Sequence, residues 1–186
     1  MRIIAGRWRG RSLVVPPGAT TRPTADRTRE ALFSMLVSRL GAFEELRVAD
    51  IFAGTGALGF EALSRGAAQA IFVDHDRAAI AAIRANAAKL GAEAETDIVP
   101  IAVSALGPAR APCDILFFDP PYGSGGAGAL LEKLTRLGWA APTAWAAIET
   151  GAAEMPAAKG WHVDADRVHG KARLTLLCRR PAAPAG

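Results

Sequence analysis

Asp119-Pro120-Pro121-Tyr122 follows directly on the apolar run Ile115–Phe118. A strand that ends in this tetrapeptide delivers it to the carboxyl edge of a sheet, where open α/β folds hold their ligands. The residue types suit an exocyclic amine on a nucleobase. Such an amine has two N–H donors and a lone pair delocalised into the ring. The Asp119 carboxylate and the Pro120 carbonyl can accept both hydrogens, which localises the lone pair and aims it at an electrophilic carbon. Pro120 and Pro121 fix φ and stiffen the loop. Tyr122 offers a ring on which a base can stack.

The second run is Gly54-Thr55-Gly56-Ala57-Leu58-Gly59, preceded by Asp50-Ile51-Phe52-Ala53 and followed 20 residues after Gly54 by Asp74. This is the spacing of a nucleotide-binding turn between a strand and a helix, with a carboxylate placed for two ribose hydroxyls. Taken alone it suits a dinucleotide. Asp50 argues otherwise: a carboxylate four residues before the first glycine would repel a pyrophosphate and attract a cationic ligand. S-adenosylmethionine carries an ammonium and a sulfonium and no phosphate, so the balance tilts towards a methyl donor.

The elements that must position these runs alternate. Val48–Phe52, Ala70–Asp74, Ile98–Val103 and Asp114–Phe118 read as strands. Helices are expected at 57–65, from an Asp76 cap to Leu90 closed by Gly91, and at 129–137 after a glycine-rich loop. Ala144–Glu149, Trp161–Val168 and Ala172–Cys178 complete the sheet. Strand–helix alternation predicts an α/β, doubly wound parallel sheet. The short turn at His169-Gly170 leaves no room for a helical crossover, so the last two strands must be antiparallel. Ahead of this lies a short hairpin, Arg2–Pro17, and then a helix capped by Thr24, with Asp26 in its first turn. Leu32, Met35, Leu36 and Leu40 line its buried face, and Gly41 ends it.

The 186 residues fit one main domain with short appendages, and a charged content of 22% excludes wholesale disorder. No window is long and apolar enough to span a membrane, and the N-terminus lacks a signal-peptide core. Cys113 and Cys178 match no metal spacing and read as free thiols in a reducing cytoplasm. The net charge of +4 is unevenly spread: the first 30 residues hold Arg2, Arg7, Arg9, Arg11, Arg22, Arg27 and Arg29 against Asp26 and Glu30. Clustered arginine suits phosphate contacts and predicts a polyanion partner. Trp8, among arginines at a hairpin tip, suits RNA stacking and packing equally. Trp139, Trp145 and Trp161 are expected to pack the sheet edges, and Glu149 to be a structural carboxylate able to orient the site.

Arg2-Ile3-Ile4-Ala5-Gly6, Gly10-Arg11-Ser12-Leu13, Arg22-Pro23-Thr24, Arg29-Glu30-Ala31-Leu32-Phe33, Asp50–Gly56 and Asp119–Gly123 together resemble the RsmD-type 16S rRNA guanine-N2 methyltransferases. The likeness covers nearly the whole chain. The glycine turn and the Asp-Pro-Pro-Tyr run are shared with many amino-methyltransferases; the hairpin and the Arg-Pro-Thr segment narrow the choice. The resemblance implies a Rossmann-like, seven-stranded class I methyltransferase sheet, S-adenosylmethionine as cofactor, and one guanine of 16S rRNA as acceptor. The assembled or assembling small ribosomal subunit would be the partner.

On this reading Asp119, Pro120, Pro121 and Tyr122 are catalytic. Asp50, Phe52, Ala53, Gly54, Gly56 and Asp74 hold the cofactor, with Ala102 and Val103 at its adenine edge. Arg7, Arg9, Arg11, Arg22, Arg29 and Lys171 contact RNA, and no metal is required. The expected organisation is a basic hairpin-and-helix extension at 1–43, a methyltransferase domain at 44–180 and a tail at 181–186, in the cytoplasm. The competing readings are a DNA adenine or cytosine amino-methyltransferase, a non-catalytic RNA-binding assembly factor, and an NAD-linked oxidoreductase, the last disfavoured by Asp50.

Overall fold

The computed structural model describes residues 1–16, 23–120 and 126–179, with side chains left aside at 23–25. Arg22, Pro121, Tyr122 and the tail 181–186 therefore lie outside the described residues. Seven strands form one sheet in the order β3-β2-β1-β4-β5-β7-β6, the mostly parallel sheet with an antiparallel C-terminal pair that the sequence predicts. The chain divides into two compact units, Met1–Val103 and Ser104–Gly186.

In the first unit β1 (Arg47–Ile51), β2 (Gln69–Val73) and β3 (Thr96–Val99) are parallel neighbours. Val48–Ile51 and Ala70–Val73 are buried throughout, the run of apolar residues that a strand covered on both faces requires. Three helices accompany them: α1 (Pro23–Leu40), α2 (Ala57–Ser64) and α3 (Arg77–Leu90). Asp76 caps α3 by accepting the Ala79 amide at 2.8 Å, and Gly91 closes it. Gly41 follows α1 as expected, its N–H bonded to the Val37 carbonyl.

Two local expectations are corrected. The third strand spans Thr96–Val99 rather than 98–103, because Pro100 has no N–H to continue a ladder. Val103 instead opens a 3-10 turn, Val103–Ala105. Helix α1 starts at Pro23, whose missing N–H costs nothing at a first helical position, so Thr24 lies within the helix and not at its cap. The expected N-terminal hairpin forms: among the described residues the antiparallel bridge Arg2↔Ser12 holds it, with bonds such as Ile3 N–H to Arg11 O at 2.9 Å.

In the second unit β4 (Cys113–Phe118) pairs in parallel with β5 (Ala140–Gly151). β7 (Ala172–Arg179) pairs antiparallel with both β5 and β6 (Trp161–His169). Helix α4 spans Ala127–Arg136. Trp139 and Trp161 are buried, each 7% exposed, and their indole N–H groups bond to Gly107 O and Thr135 Oγ1. They pack, as expected. Among the described residues no helix is long and apolar enough to cross a membrane.

Candidate active site

The glycine turn after β1 is held open from three directions. Phe52 and Ala53 both donate their amides to Val73 O at 3.1 Å, tying the turn to the end of β2. Phe52 sits at φ 65, a left-handed conformation that costs a non-glycine residue on the order of 1–3 kcal/mol. That strain is absent from the sequence pattern and marks the turn as over-determined by its surroundings. Gly54 also has positive φ, 54°, and a Cβ there would meet nothing within 4 Å, so the backbone lies bare to any ligand. Gly56 is different: a Cβ would press on Phe60 at 2.7 Å and Phe72 at 2.9 Å, so this glycine lets α2 close on the sheet.

Two carboxylates brace the same turn. Asp74 is half-buried at the end of β2; its Oδ2 accepts the Gly54 amide and its Oδ1 the Asp76 amide, both at 2.9 Å. Asp50 is 2% exposed and accepts the Gly59 amide at 2.9 Å, placing its negative charge against the first turn of α2. The sequence gives Asp50 a cationic ligand; the bond displayed is to the protein's own helix, a clamp on the loop. Ala102 is half-buried and Val103 buried, at the mouth of the 3-10 turn.

The Asp119-Pro120 pair belongs to the second unit. Ile115–Phe118 is fully buried, and Asp119 is the first residue past it, exposed at the strand's carboxyl end. Its carboxyl pKa is pushed up to about 7, first because the surrounding protein withholds solvation from the charge, and second because Glu149 repels it. Water at the open side tempers the first cause, so what matters is the direction: towards a neutral, less readily ionised acid. Pro120 is half-buried beside it.

The basic arm divides into two kinds of residue. Arg9, Arg11 and Lys171 are exposed, Arg11 Nη1 reaching Lys89 O at 3.4 Å. Arg7 is exposed but engaged: it pairs with Glu95, and its guanidinium lies 4.0 Å from the Trp8 ring centroid. Trp8 itself is only 7% exposed, which resolves its role as packing. Arg29 corrects the prediction outright. It is 5% exposed, bonded to Asp26 and the Arg2 carbonyl, and 3.9 Å from Glu61, so it has no surface for a phosphate.

Sequence reasoning misses the residues that dock this arm. Glu61, fully buried, accepts the amides of Ile4 at 2.8 Å and Ala5 at 3.0 Å and the Arg65 Nε at 2.8 Å. Ser64 Oγ accepts from the Trp8 amide and donates to Ala5 O. Asn86, also fully buried, bonds both the N–H and C=O of Val14 and the carbonyl of Thr55 in the glycine turn. The signal is present in the sequence: Glu61 and Ser64 form an i,i+3 polar pair on the otherwise apolar α2, and Asn86 is the one polar residue on the buried face of α3.

A mostly parallel sheet with a glycine turn after its first strand and an acid–proline pair after its fourth defines a methyltransferase of the class I, Rossmann-like kind. Residues 1–178 match the family model described as "Conserved hypothetical protein 95". Ribosomal RNA small subunit methyltransferase D of Escherichia coli K12 is 38% identical over 96% of this chain and 90% of its own. That of Haemophilus influenzae is 37% identical over 81% and 78%. Among solved structures, yhhF from Escherichia coli superposes with TM-score 0.87 at 36% identity, covering 98% of this chain and 99% of that one. Hypothetical protein TTHA0928 of Thermus superposes with TM-score 0.77 at 30% identity, covering 95% and 98%. The chain belongs to this family, the RsmD-type methyltransferases that its sequence resembles.

Proposed function

We propose that this methyltransferase transfers a methyl group from S-adenosylmethionine to the exocyclic N2 of one guanine in 16S rRNA. It acts in the cytoplasm on the assembled or assembling small ribosomal subunit. The observation that carries the reading is Asp119-Pro120 at the carboxyl end of β4, in a chain 38% identical over 96% of its length to a protein named for methylating small-subunit rRNA.

The residues of the first unit fit the cofactor. Gly54 leaves its backbone bare, and the Asp74 carboxylate, after accepting two amides, has lone pairs remaining for ribose hydroxyls. Phe52, Ala53, Ala102 and Val103 would line the remainder, and Asp50 would hold the loop in shape. When bound, S-adenosylmethionine supplies an electrophilic methyl carbon on a cationic sulfur.

Asp119 and the Pro120 carbonyl accept the two amine hydrogens and turn the nitrogen lone pair outwards. Pro121 stiffens the loop, and Tyr122 stacks on the base. No strong base is needed, because the nitrogen becomes acidic once alkylated and can then pass its proton to the hydrogen-bonded Asp119 carboxylate and on to water. The chain contributes positioning and not covalent catalysis. The base must leave its stack, at a cost of a few kcal/mol, which contacts from Arg9, Arg11, Arg22 and Lys171 to phosphate offset.

Small-subunit particles from a strain lacking the gene, incubated with the protein and S-adenosylmethionine, should yield N2-methylguanosine on nucleoside digestion. N6-methyladenosine as product, or activity confined to DNA, would overturn the reading.

A further inference from the structure

The parallel pairing of β4 and β5 places Phe118 opposite Ile148. Asp119 is the first residue past this last pair, so continuing the register by one residue brings it level with Glu149, with neighbouring strands about 4.8 Å apart. Side chains alternate across a sheet, so Glu149 leaves the face opposite to Ile148, and the same alternation carried one residue past β4 turns Asp119 to that face. The electrostatics agree that the two acids are near neighbours, since repulsion from Glu149 is the second cause, after burial, of the raised Asp119 pKa. On its other side Glu149 has the buried Leu174 as rung partner on β7. Glu149 is half-buried and flanked along β5 by buried Ile148 and Thr150.

A second acid here works against Asp119, because it disfavours the ionised form that accepts hydrogens best. The arrangement becomes favourable when the ligand brings a further N–H donor to the pair. Nucleobases differ on this point. In guanine the exocyclic amine adjoins a ring N1–H, giving three donors along one edge. In adenine and cytosine the ring nitrogen next to the amine is an acceptor, which a carboxylate repels.

We propose that Glu149 is a specificity residue for the acceptor base: its carboxylate accepts the N1–H of guanine while Asp119 and the Pro120 carbonyl hold the N2 amine. A carboxylate has two oxygens and can serve more than one donor, so this role is compatible with other contacts. The inference rests on the reading above, that the acceptor is a guanine amine. It adds the means by which the pocket refuses the other amine-bearing bases.

The test compares small-subunit particles reconstituted with rRNA carrying either guanine or 2-aminopurine at the methylated position. 2-Aminopurine keeps the 2-amine but presents N1 as an acceptor. The wild-type enzyme should favour guanine by about 100-fold or more in kcat/KM, as sites built around a substrate N–H do. Glu149→Gln keeps the shape and can turn an amide N–H towards the bare N1. Its preference should fall at least tenfold, with part of the fall being a gain on 2-aminopurine. Comparing the two enzymes on the same two substrates cancels the intrinsic nucleophilicity of the bases. Glu149→Ala should lose rate on guanine without that gain, and cofactor affinity should be unchanged in both variants.

An unchanged ratio in active, folded Glu149→Gln overturns the inference and leaves N2 methylation standing, as does a wild-type enzyme indifferent to the two bases. No N2-methylguanosine from wild type on the guanine particle overturns the functional reading itself, and the inference with it.

Discussion

Asp74 accepts the amide hydrogen of Gly54 at 2.9 Å, across the 20 residues that separate the end of β2 from the glycine turn. The carboxylate that the sequence spacing assigns to a ligand thus also fixes the loop that the ligand would meet. Its second oxygen holds the amide of Asp76, the cap residue of α3. One side chain sets the loop, the helix entry and the remaining lone pairs in a single orientation.

Asp74→Ala should accordingly weaken S-adenosylmethionine binding twice over, through the lost acceptor and through the released Gly54. The expected loss is about 1–3 kcal/mol, a factor of roughly 5 to 150 in Kd. Asp74→Asn keeps one carbonyl acceptor and should lose less. Titration calorimetry gives both values; equal affinity in wild type and Asp74→Ala would remove the residue from the binding site.

Asp119→Ala should abolish nearly all methyl transfer, about 100-fold or more in kcat, while cofactor affinity changes little. On the proposed reading Asp119 grips the acceptor amine, so its removal would be felt in the transition state. Single-turnover assays with calorimetry alongside separate the two effects. Near-wild-type turnover would end its catalytic assignment.

The raised pKa of Asp119 has a sign that can be followed. The carboxyl titrates near 7 in the folded chain and near 3.8 when unfolded. Between those values the folded state holds a proton that the unfolded state has released, so the group's contribution to stability falls as pH rises through that window. Asp119→Asn, which carries no charge, should gain stability over wild type at pH 8 and lose that advantage near pH 4. Thermal melts at the two pH values check it. Transfer by wild type should rise as pH passes 7, since the ionised carboxylate is the better acceptor.

The sequence displays strand–helix alternation clearly because β1, β2 and β4 are buried runs, and Asp76 and Gly91 punctuate α3 with ordinary cap chemistry. The antiparallel closing pair is legible from one short turn. What stays hidden is long-range. Glu61 reaches Ile4 and Ala5 across 57 and 56 residues, and Asn86 reaches Val14 across 72. Composition marks Arg29 as one more surface cation, but burial beside Asp26 and Glu61 makes it structural. The strain at Phe52 leaves no trace in a pattern of residue types.

Removing the Glu61 carboxylate should show how the arm is held. It is fully buried with two backbone amides and Arg65 on its oxygens, and Arg29 nearby. Glu61→Ala strands two amides, takes the carboxylate from half-buried Arg65 and leaves buried Arg29 with Asp26 as its carboxylate, and should cost about 3–5 kcal/mol. Denaturant unfolding measures the loss. Hydrogen exchange should show the Ile4 and Ala5 amides losing protection before those of β1.

The arm's contribution to RNA binding should sort by exposure and not by residue type. Arg9 and Arg11 are exposed, whereas Arg29 is enclosed by Asp26, the Arg2 carbonyl and Glu61. Each phosphate neutralised adds roughly 0.7–0.9 to the log–log slope of affinity against salt. Replacing Arg9 and Arg11 together by alanine should therefore reduce the slope by about 1.4 to 1.8 units on this scale. Arg29→Ala should leave the slope as it is and lower the melting temperature instead. Arg7 is the intermediate case, because its pairing with Glu95 competes with any phosphate. Glu95→Gln should free it, raising affinity at low salt and steepening the slope by up to one contact. Filter binding of small-subunit rRNA over a range of salt concentrations reads all three. If Arg29→Ala flattened the slope while Arg9 and Arg11 left it unchanged, burial would be the wrong guide to this surface.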